Sequence, residues 1–511
     1  MPSNPQKRVV IIGAGLGGIS AAIMLKRYGF DVEIFEKNER VGGKLNRLSV
    51  DGFQFDLGPS ILTLPQMFEP LFEGSGRTLS DYVPIMRLGL QWRNFFEDQT
   101  VLDLWEDPRK MRETLQSFGE RTVREYFDFL EYSKRQYHLV ERGYFKEGPD
   151  TFWELLRIYK LFGVFGMDFT NTMSQSIYRR VANPYLRDVF EYFIKYVGSS
   201  AREAPGFMNL MPNIQSEFGL WYVKGGLYEL ANGLNRRLEE LKIPVHLGAE
   251  VLQIVKNGGG LVSGIRVRLD DGAVVERSAD FVVSNMETIP AYERLLGEGA
   301  EFVKSLDKFE PTCSGIVIHL GTKKQYPQLA HHNFFYSRNQ SRHFDRVFRE
   351  KKLPDDPTIY LVAPTRSDST QAPKGCENIK ILPHIPYINS DSPFTQRDCE
   401  QLKDRVIDKL ERMGLADLRK NTVVEDFWTP FDIEKKYYSN KGSIYGVVSD
   451  FKRNLGFKTP KQSTKYRNLF FTGGSVNPGG GMPMVVLCGQ LVARKINESV
   501  RARVVPDTAS P

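Results

Sequence analysis

Residues 8–36 read RVVIIGAGLGGISAAIMLKRYGFDVEIFE, and this stretch decides the fold. It begins with five residues rich in β-branched side chains and without polar alternation, which is typical of a buried parallel strand. Gly13, Gly15 and Gly18 then complete the pattern G-x-G-x-x-G, followed by a helical apolar face and a second short strand. That strand ends at Glu36, so the stretch predicts a β–α–β unit of an α/β fold.

Each marked position of this unit has a physical role in binding a dinucleotide. Gly13 permits a tight turn, Gly15 lets the backbone approach a pyrophosphate, and Gly18 lets the helix pack closely on the strand. The helix N-terminus offers free N–H groups and the positive end of a dipole to the phosphates. Glu36 is placed to accept hydrogen bonds from the adenosine ribose, and its charge disfavours the 2′-phosphate of NADP. We therefore predict a Rossmann-like dinucleotide site.

Composition narrows the class of protein. The chain has 511 residues, 26% of them charged and 41% hydrophobic, which indicates a globular protein. At this length we expect roughly two to four folding units. The net charge of +7 forms no dense basic block, so nucleic acid is not an expected partner. The four cysteines are widely spaced and the seven histidines form no HExxH pattern, so no metal site is predicted.

The sequence also suggests where the protein works. It shows no signal peptide and no apolar run long enough to cross a bilayer, so we expect a cytoplasmic protein without a transmembrane helix. Aromatic side chains alternate with cations through residues 151–200. This pattern fits a surface that docks on the inner face of the cell membrane, and it fits a helical core with solvated charges equally well.

A glycine doublet follows the β–α–β unit. Arg40-Val41-Gly42-Gly43-Lys44 resembles the doublet of the FAD-binding amine oxidase and carotenoid desaturase superfamily. The resemblance implies FAD and a second close approach of backbone to the dinucleotide, at Arg40, Gly42, Gly43 and Lys44. The superfamily usually has Arg after the doublet, and Lys44 keeps the charge without the planar fork of donors.

The C-terminal segment carries a second flavin signal. Gly473 and Gly474 open a glycine-rich loop after a short strand, and Met482-Pro483-Met484 begin a helix with proline in its first turn. In the superfamily such a helix points its N-terminus at the flavin, where its dipole stabilises negative charge on the reduced ring. The same resemblance implies that the backbone near Val251 meets the adenine.

The chain from about 8 to 497 resembles the bacterial carotenoid desaturase and oxidase family, most closely its members that oxidise the terminal methyl of 4,4′-diapocarotenoids. The segments that carry the resemblance are FDLGPSILTLP at 55–65, FIKYVGSS at 193–200, GLWYVKGG at 219–226, YPQLAHHNFF at 326–335, DDPTIYLV at 355–362, LPHIPYI at 382–388 and GGSVNPGGGMPMV at 473–485. The resemblance implies an FAD enzyme that converts a C30 carotenoid, 4,4′-diaponeurosporene or 4,4′-diapolycopene, to the aldehyde with O2.

The resemblance also implies the domain organisation. We expect an amine-oxidase-type FAD-binding domain assembled from three pieces, with a mainly helical insert for substrate and membrane docking and a mixed α+β substrate domain. The predicted pieces are 1–75, 222–299 and 455–500 for the FAD domain, 76–221 for the helical insert, 300–454 for the substrate domain and 501–511 for a disordered tail.

Residues for the chemistry itself are harder to choose. The sequence singles out no catalytic side chain, because a flavin carries the difficult step. His331 and His332 are candidate proton carriers, although a structural role explains each of them more simply. The remaining candidates are Asp56 and Ser60, which are expected near the flavin ring, and Trp221 and Tyr222, which are expected to line a substrate tunnel.

Two alternatives stay open on the sequence alone. A desaturase of the same fold would insert double bonds into dehydrosqualene, and the flavin motifs do not separate it from an oxygenase. A prenyl-lipid-binding protein of the GDP-dissociation-inhibitor type would share the fold without redox chemistry. The intact glycine pattern and Glu36 argue against the second alternative. The oligomeric state is not predicted.

Overall fold

The computed structural model describes residues 6–164 and 166–504. Its first layer is a parallel sheet of five strands, with Arg8–Ile12 at the centre. Both faces of this strand are covered, and Val9, Val10 and Ile11 are fully buried, as its unalternating sequence predicts. Across the sheet the strands follow the order Leu469–Phe471, Phe281–Ser284, Arg8–Ile12, Asp31–Phe35 and Val245–His246. The α/β Rossmann-like unit is therefore confirmed.

Two helices from opposite ends of the chain pack together beside this sheet. Leu16–Arg27 follows the glycine loop, and Met482–Val504 closes the described chain. A Cβ atom on Gly489 would lie 2.5 Å from the carbonyl oxygen of Gly17, so the two backbones are nearly in contact. The Ser20 hydroxyl donates a 2.6 Å hydrogen bond to the carbonyl of residue 486 in the second helix. This contact holds both helix N-termini against the same cavity.

Smaller sheets flank the parallel sheet. An antiparallel sheet consists of Glu250–Lys256, Val262–Arg268 and Val274–Ser278. Two further strand pairs join Arg47–Val50 with Phe53–Asp56 and Ile85–Arg87 with Trp221–Val223.

A second large sheet of eight strands forms the other wall of the cavity. Seven of its strands follow the order Thr422–Trp428, Val317–Thr322, Glu377–Ile385, Ile359–Val362, His332–Phe335, Leu90–Phe95 and Val101–Trp105, and Ser314–Gly315 also pairs with Glu377–Ile385. One face, which includes Ile318, Leu361 and Ile381, packs under the helix Gln396–Arg412. The opposite face carries Val317, Tyr360, Lys380, Leu382 and Trp428 and lines the cavity.

The remaining helices build the roof of this cavity and the surface of the molecule. Between residues 76 and 221 they are Leu79–Tyr82, Pro108–Gln116, Glu120–Val140, Phe152–Val164, Met173–Arg180, Pro184–Tyr192 and Met211–Phe218. Elsewhere they are Glu69–Phe72, Tyr228–Glu240, Thr288–Pro290, Ala300–Ser305, Gln340–Phe344, Leu418–Asn421, Pro430–Tyr437 and Phe451–Asn454. No helix within the described ranges has both the length and the apolar character needed to cross a membrane.

The fold shows how the two inserts relate to each other. Leu90–Phe95 from the first insert pairs in parallel with His332–Phe335 from the second, so both inserts contribute to one sheet. The closing helix continues through Val504, into the segment predicted as a tail, while residues 505–511 lie outside the described residues. The domain boundaries given above stay predictions.

The close helix contact gives a test of stability. Gly489→Ala would press a methyl group against the Gly17 backbone, and overpacking of this kind costs roughly 1–3 kcal/mol. We expect a lower urea midpoint and less bound flavin. Gly89→Ala is the matched control, because a Cβ there meets nothing within 4 Å. Equal stability of the two variants would contradict the importance of the contact.

Candidate functional site

One cavity of about 470 Å³ lies between the parallel sheet, the eight-stranded sheet and the helical roof. Gly13, Gly15 and Glu36 line one end, together with Val251. The N-terminus of the closing helix, at Met482, lines it further along. The cavity therefore joins the sequence signals from both ends of the chain, and it continues into an apolar arm described below.

The glycine loop has the geometry that its pattern requires. Gly13 has a φ of +93° and donates a 2.7 Å hydrogen bond to the carbonyl of Phe35 on the next strand. A Cβ on Gly15 would lie 2.4 Å from Nδ2 of Asn285, so a side chain there would fill the cradle. A Cβ on Gly18 would lie 2.2 Å from the carbonyl oxygen of Gly13. Gly18 lies outside the cavity lining, and its role is close helix packing.

Glu36 lies at the end of the second strand and is buried. Its Oε2 accepts a 2.8 Å hydrogen bond from the Ala14 N–H, and its Oε1 accepts two from Asn38, one of 2.9 Å from the N–H and one of 2.6 Å from the side-chain amide. A carboxylate has about four acceptor positions, so these three bonds orient the side chain and leave about one position for a ribose hydroxyl. The predicted role of Glu36 fits this position.

The glycine doublet forms the second side of the cradle. Gly42 donates a 2.8 Å hydrogen bond to the carbonyl of Ala14, and Gly43 has a φ of +61°. A Cβ on Gly43 would lie 3.1 Å from the Cα of Gly15, so the two glycine segments approach each other closely. Both residues of the doublet line the cavity.

The two cations beside the doublet differ in position. The Lys44 side chain lines the cavity, and its Nζ lies 3.1 Å from Oε1 of Glu287 and donates to the carbonyl of Ser443. Arg40 is exposed and lies outside the cavity lining, with its guanidinium 3.5 Å from the carbonyl of Arg47. The structure therefore brings Lys44, but not Arg40, to the predicted cofactor site.

The C-terminal loop and helix reach the same cavity. Gly473 and Gly474 line it together with Met482, Pro483 and Met484. Gly473 has a φ of +110°, which favours glycine. The first turn of a helix has N–H groups without intrahelical partners, and here that turn faces the cavity. These residues fit a flavin whose anionic edge lies at the helix N-terminus.

Sequence reasoning missed Asn285. This residue follows the buried strand Phe281–Ser284 at its carboxyl end and lines the cavity. Its Oδ1 atom and the Oγ1 atom of Thr472 are buried without a hydrogen-bond partner, although buried polar atoms are almost always paired. Both oxygen atoms lie beside Gly17, whereas Nδ2 of Asn285 lies beside Gly15 in the cradle, so this side chain joins the first helix to the cofactor site. The sequence does contain an indication of this role, because polar residues at the carboxyl ends of parallel strands mark ligand sites.

Asp56 and Ser60 have different surroundings. Asp56 lies outside the cavity lining and caps the helix Tyr228–Glu240, accepting hydrogen bonds of 2.9 Å from the Leu227 N–H and 3.3 Å from the Tyr228 N–H. Burial raises the pKa of this carboxyl group. Ser60 lines the cavity, and its hydroxyl accepts a 2.9 Å hydrogen bond from Lys380.

The structure does not bring His331 or His332 to the cavity lining. Both are buried, and their Nδ1 atoms lie 2.9 Å from the hydroxyls of Ser367 and Tyr360, respectively. Burial lowers the pKa of His331 to about 3, and it lowers the pKa of His332 well below its usual range. Both imidazoles are therefore neutral at pH 7.

Trp221 and Tyr222 also lie outside the cavity lining. The Trp221 indole donates a 2.8 Å hydrogen bond to the carbonyl of Phe218, and the Tyr222 hydroxyl donates one of 3.1 Å to Asp368. Both side chains therefore stabilise the short strand pair at the edge of the site. Their assignment to a substrate tunnel stays a prediction.

Lys380 is the second residue that sequence reasoning missed. It lies in Glu377–Ile385, a strand whose nine residues are all buried, and it lines the cavity. Its Nζ donates to Ser60 and to the carbonyl of Gly58. Burial lowers the pKa of the amine to about 8. The sequence of this strand, ENIKILPHI, contains other polar residues, so the burial of Lys380 becomes apparent only in the folded structure.

The apolar arm of the cavity lies under the helical roof. Its lining residues are Val140, Tyr144, Phe145, Leu155, Met167, Phe169, Phe207, Met208, Leu210, Met211 and Ile214. On the sheet side, Trp428 pairs with Val317, and Leu382 pairs with Tyr360, so these side chains form a row beneath the arm. The arm can hold a long apolar molecule beside the dinucleotide end of the cavity.

The glycine cradle gives a direct test of cofactor binding. Gly15→Val would place a branched side chain in the space between Gly43 and Asn285. We expect the purified variant to lose most of its bound flavin, measured as flavin absorbance per protein. Gly89→Val, at a surface position without close neighbours, should keep it. Flavin retained at the wild-type level in Gly15→Val would show that the dinucleotide lies elsewhere.

Comparison with known proteins gives the chain close relatives. It is 54% identical over 497 residues to a 4,4′-diapolycopene oxygenase of Methylomonas sp, which covers 97% of this chain and 99% of the relative. It is 51% identical over 493 residues to a 4,4′-diaponeurosporene oxygenase of Staphylococcus aureus (strain USA300), which covers 96% and 98%, respectively.

Solved structures share the fold at low sequence identity. Putrescine oxidase bound to putrescine superimposes with a TM-score of 0.63 at 15% identity, covering 98% of this chain and 99% of that one. Cyclohexylamine oxidase from Brevibacterium oxydans IH-35A gives a TM-score of 0.56 at 15% identity, with 97% and 100% covered.

The family comparison agrees with the site geometry. The model of the family described as flavin containing amine oxidoreductase matches residues 16–497, which begin directly after Gly15 and include Glu36, the glycine doublet and most of the closing helix. The predicted fold class and the predicted FAD cofactor are thus confirmed. The chain belongs to the flavin-containing amine oxidoreductase family.

Proposed function

We propose that this protein oxidises the terminal methyl group of a C30 carotenoid, 4,4′-diaponeurosporene or 4,4′-diapolycopene, to the aldehyde, with FAD as cofactor and O2 as co-substrate. The observation that carries the proposal is the identity of 51–54%, over nearly the whole of each chain, with proteins named as oxygenases of these two carotenoids. The apolar arm of the cavity supports it, because a hydrocarbon rod needs a site of this kind.

The chemistry suits such a site. The terminal methyl of the polyene is allylic, so delocalisation into the conjugated chain weakens its C–H bonds. A bound flavin supplies an acceptor for two electrons. The protein does not need to protonate the substrate, and its task is to hold the terminal carbon and exclude water.

Specific residues perform these tasks. The glycine loop and Glu36 would hold the adenosine and pyrophosphate, and the N-terminus of the closing helix would face the flavin edge. Phe145, Phe207 and the other side chains of the apolar arm bind the rod by burying its surface. Most side chains of the arm are apolar on both the helical side and the sheet side, which disfavours water beside the bound rod.

The reaction is tested by its products. Purified enzyme is incubated under air with diaponeurosporene and, separately, with dehydrosqualene, and the products are weighed by mass spectrometry. We expect one oxygen to replace two hydrogens in diaponeurosporene. Efficient loss of hydrogen pairs from dehydrosqualene without oxygenated product would identify a desaturase instead. Protein that binds isoprenoid lipid but never flavin would identify a prenyl-lipid carrier.

We also propose that the enzyme docks on a membrane surface through the helix Phe152–Val164. Its Trp153 side chain is 78% exposed, and the adjacent Arg157 is exposed as well. Leu155 of the same helix is buried and lines the cavity. The helix therefore connects a surface indole, a side chain typical of membrane interfaces, with the apolar arm. A carotenoid dissolved in lipid would enter along this route.

Trp153 gives the test of docking. Trp153→Ser removes the exposed indole, and we expect less protein to sediment with vesicles that contain anionic lipid. Salt should weaken the binding of the wild type without abolishing it, because apolar insertion persists when charges are screened. Val423→Ser is the control, since Val423 is 55% exposed on a strand of the large sheet. If both variants sediment like the wild type, docking uses another surface.

A further inference from the structure

Lys195 occupies an unusual position in the cavity wall. It lies in the short helical turn Phe193–Val197, is only 5% exposed and lines the cavity. Four aromatic rings surround its Nζ. The distances from Nζ to their centroids are 5.0 Å for Trp92, 4.7 Å for Tyr196, 4.6 Å for Phe334 and 4.0 Å for Tyr360.

The amine of Lys195 differs from the other lysine side chains of the cavity. Each of those donates to an oxygen atom: Lys37 to the carbonyl of Lys435, Lys44 to Glu287, Lys380 to Ser60 and Lys458 to Ser449. Within the described ranges, Nζ of Lys195 has no hydrogen-bond acceptor and no carboxylate partner. Its surroundings are the four rings, with two buried histidines beyond them.

The protonation state follows from these surroundings. Burial lowers the pKa of Lys195 well below its ordinary value, because no acidic group compensates for the lost hydration. His332 and His384 interact electrostatically with it, and burial keeps both imidazoles neutral at pH 7. Burial therefore favours the uncharged amine of Lys195 over its ammonium ion, and the uncharged amine is the form of lysine that attacks carbonyl groups.

We propose that Lys195 is a carbonyl-binding site that takes a conjugated aldehyde as a reversible imine. The inference rests on the proposed function, which supplies the aldehyde as the class of ligand. The amine nitrogen adds to the aldehyde carbon, and the carbonyl oxygen leaves as water with the two hydrogens of the amine. No oxidant or reductant takes part, and hydrolysis by the same water reverses the step.

The surroundings of the amine suit a polyene aldehyde. The rings of Tyr360 and Phe334 are stacked, with centroids 4.9 Å apart and an interplanar angle of 10°, and Tyr360, which lines the cavity, offers an apolar ring to a conjugated chain. Oxidised product would thus be held until water releases it.

The experiment uses all-trans-retinal, a shorter conjugated aldehyde, as the probe. FAD-loaded full-length enzyme in mild detergent is incubated at pH 7 with limiting retinal and cyanoborohydride, which reduces an imine to a stable secondary amine. Intact mass and peptide mapping then locate the retinyl group. We expect the strongest modification at Lys195, because surface lysines of ordinary pKa are almost entirely protonated at this pH and the cavity lysines Lys380 and Lys458 are hydrogen-bonded to Ser60 and Ser449.

Three variants sharpen the test. Lys195→Met and Lys195→Arg should each lower the labelling by about tenfold or more, the second while keeping a basic side chain. Lys458→Met should keep the labelling at Lys195, since it removes a different buried cavity lysine. Retinol, which lacks the carbonyl, should give no adduct. Flavin content and circular dichroism of each variant show that the site is folded.

Two results would overturn the inference. One is wild-type protein without modification at Lys195 under these conditions, and the other is equal labelling in folded Lys195→Arg. Failure of the proposed function is seen separately, because labelling does not require turnover. Labelled enzyme that leaves diaponeurosporene unchanged would refute the oxidation and keep the lysine site, whereas oxidation without labelling would do the reverse.

Discussion

The contact between Gly17 and Gly489 is the constraint on which the functional architecture depends. The two helices that meet there lie near opposite ends of the sequence, and a single extra methyl group on Gly489 would separate their backbones. Because the helices pack so closely, both of their N-termini face one cavity. The dinucleotide cradle and the flavin-edge helix are thus positioned by this contact together with the parallel sheet. In that sheet, strands from three distant segments, Arg8–Ile12, Phe281–Ser284 and Leu469–Phe471, are hydrogen-bonded neighbours.

Much of this arrangement could be predicted from the sequence because it depends on local backbone geometry. The strand, the glycine turn and the terminal acid at Glu36 are adjacent along the chain, so their spacing alone determines where they lie. The C-terminal glycine loop can also be recognised from the sequence, because its strand, glycines and helix are adjacent along the chain. Its position beside the first loop was implied by resemblance, because no local rule tells which distant segments meet.

The cavity wall was less predictable for a physical reason. Asn285, Lys195 and Lys380 come from separate elements, and each becomes notable only through what surrounds it after folding. Asp56 and Tyr222 are candidates from the sequence because they are polar or aromatic residues within family-like segments. In the structure, Asp56 caps a helix and Tyr222 makes a buried hydrogen bond. Residue type and spacing predict a binding site well where backbone geometry forms the site, as in the glycine loop. They predict a site poorly where the properties of a side chain depend on its burial in the folded protein.

Burial also sets the character of the chemistry. An enzyme that handles a hydrocarbon rod must present an apolar wall, and such a wall penalises charge on any amine that enters it. Lys380 meets this penalty with hydrogen bonds to Ser60 and Gly58, whereas Lys195 has only aromatic rings. The same apolar cavity that accepts the substrate therefore disfavours the charged form of one of its amines. Reactivity toward the oxidised end of a polyene then follows from the solvent properties of the site, with no need for a separate activating group.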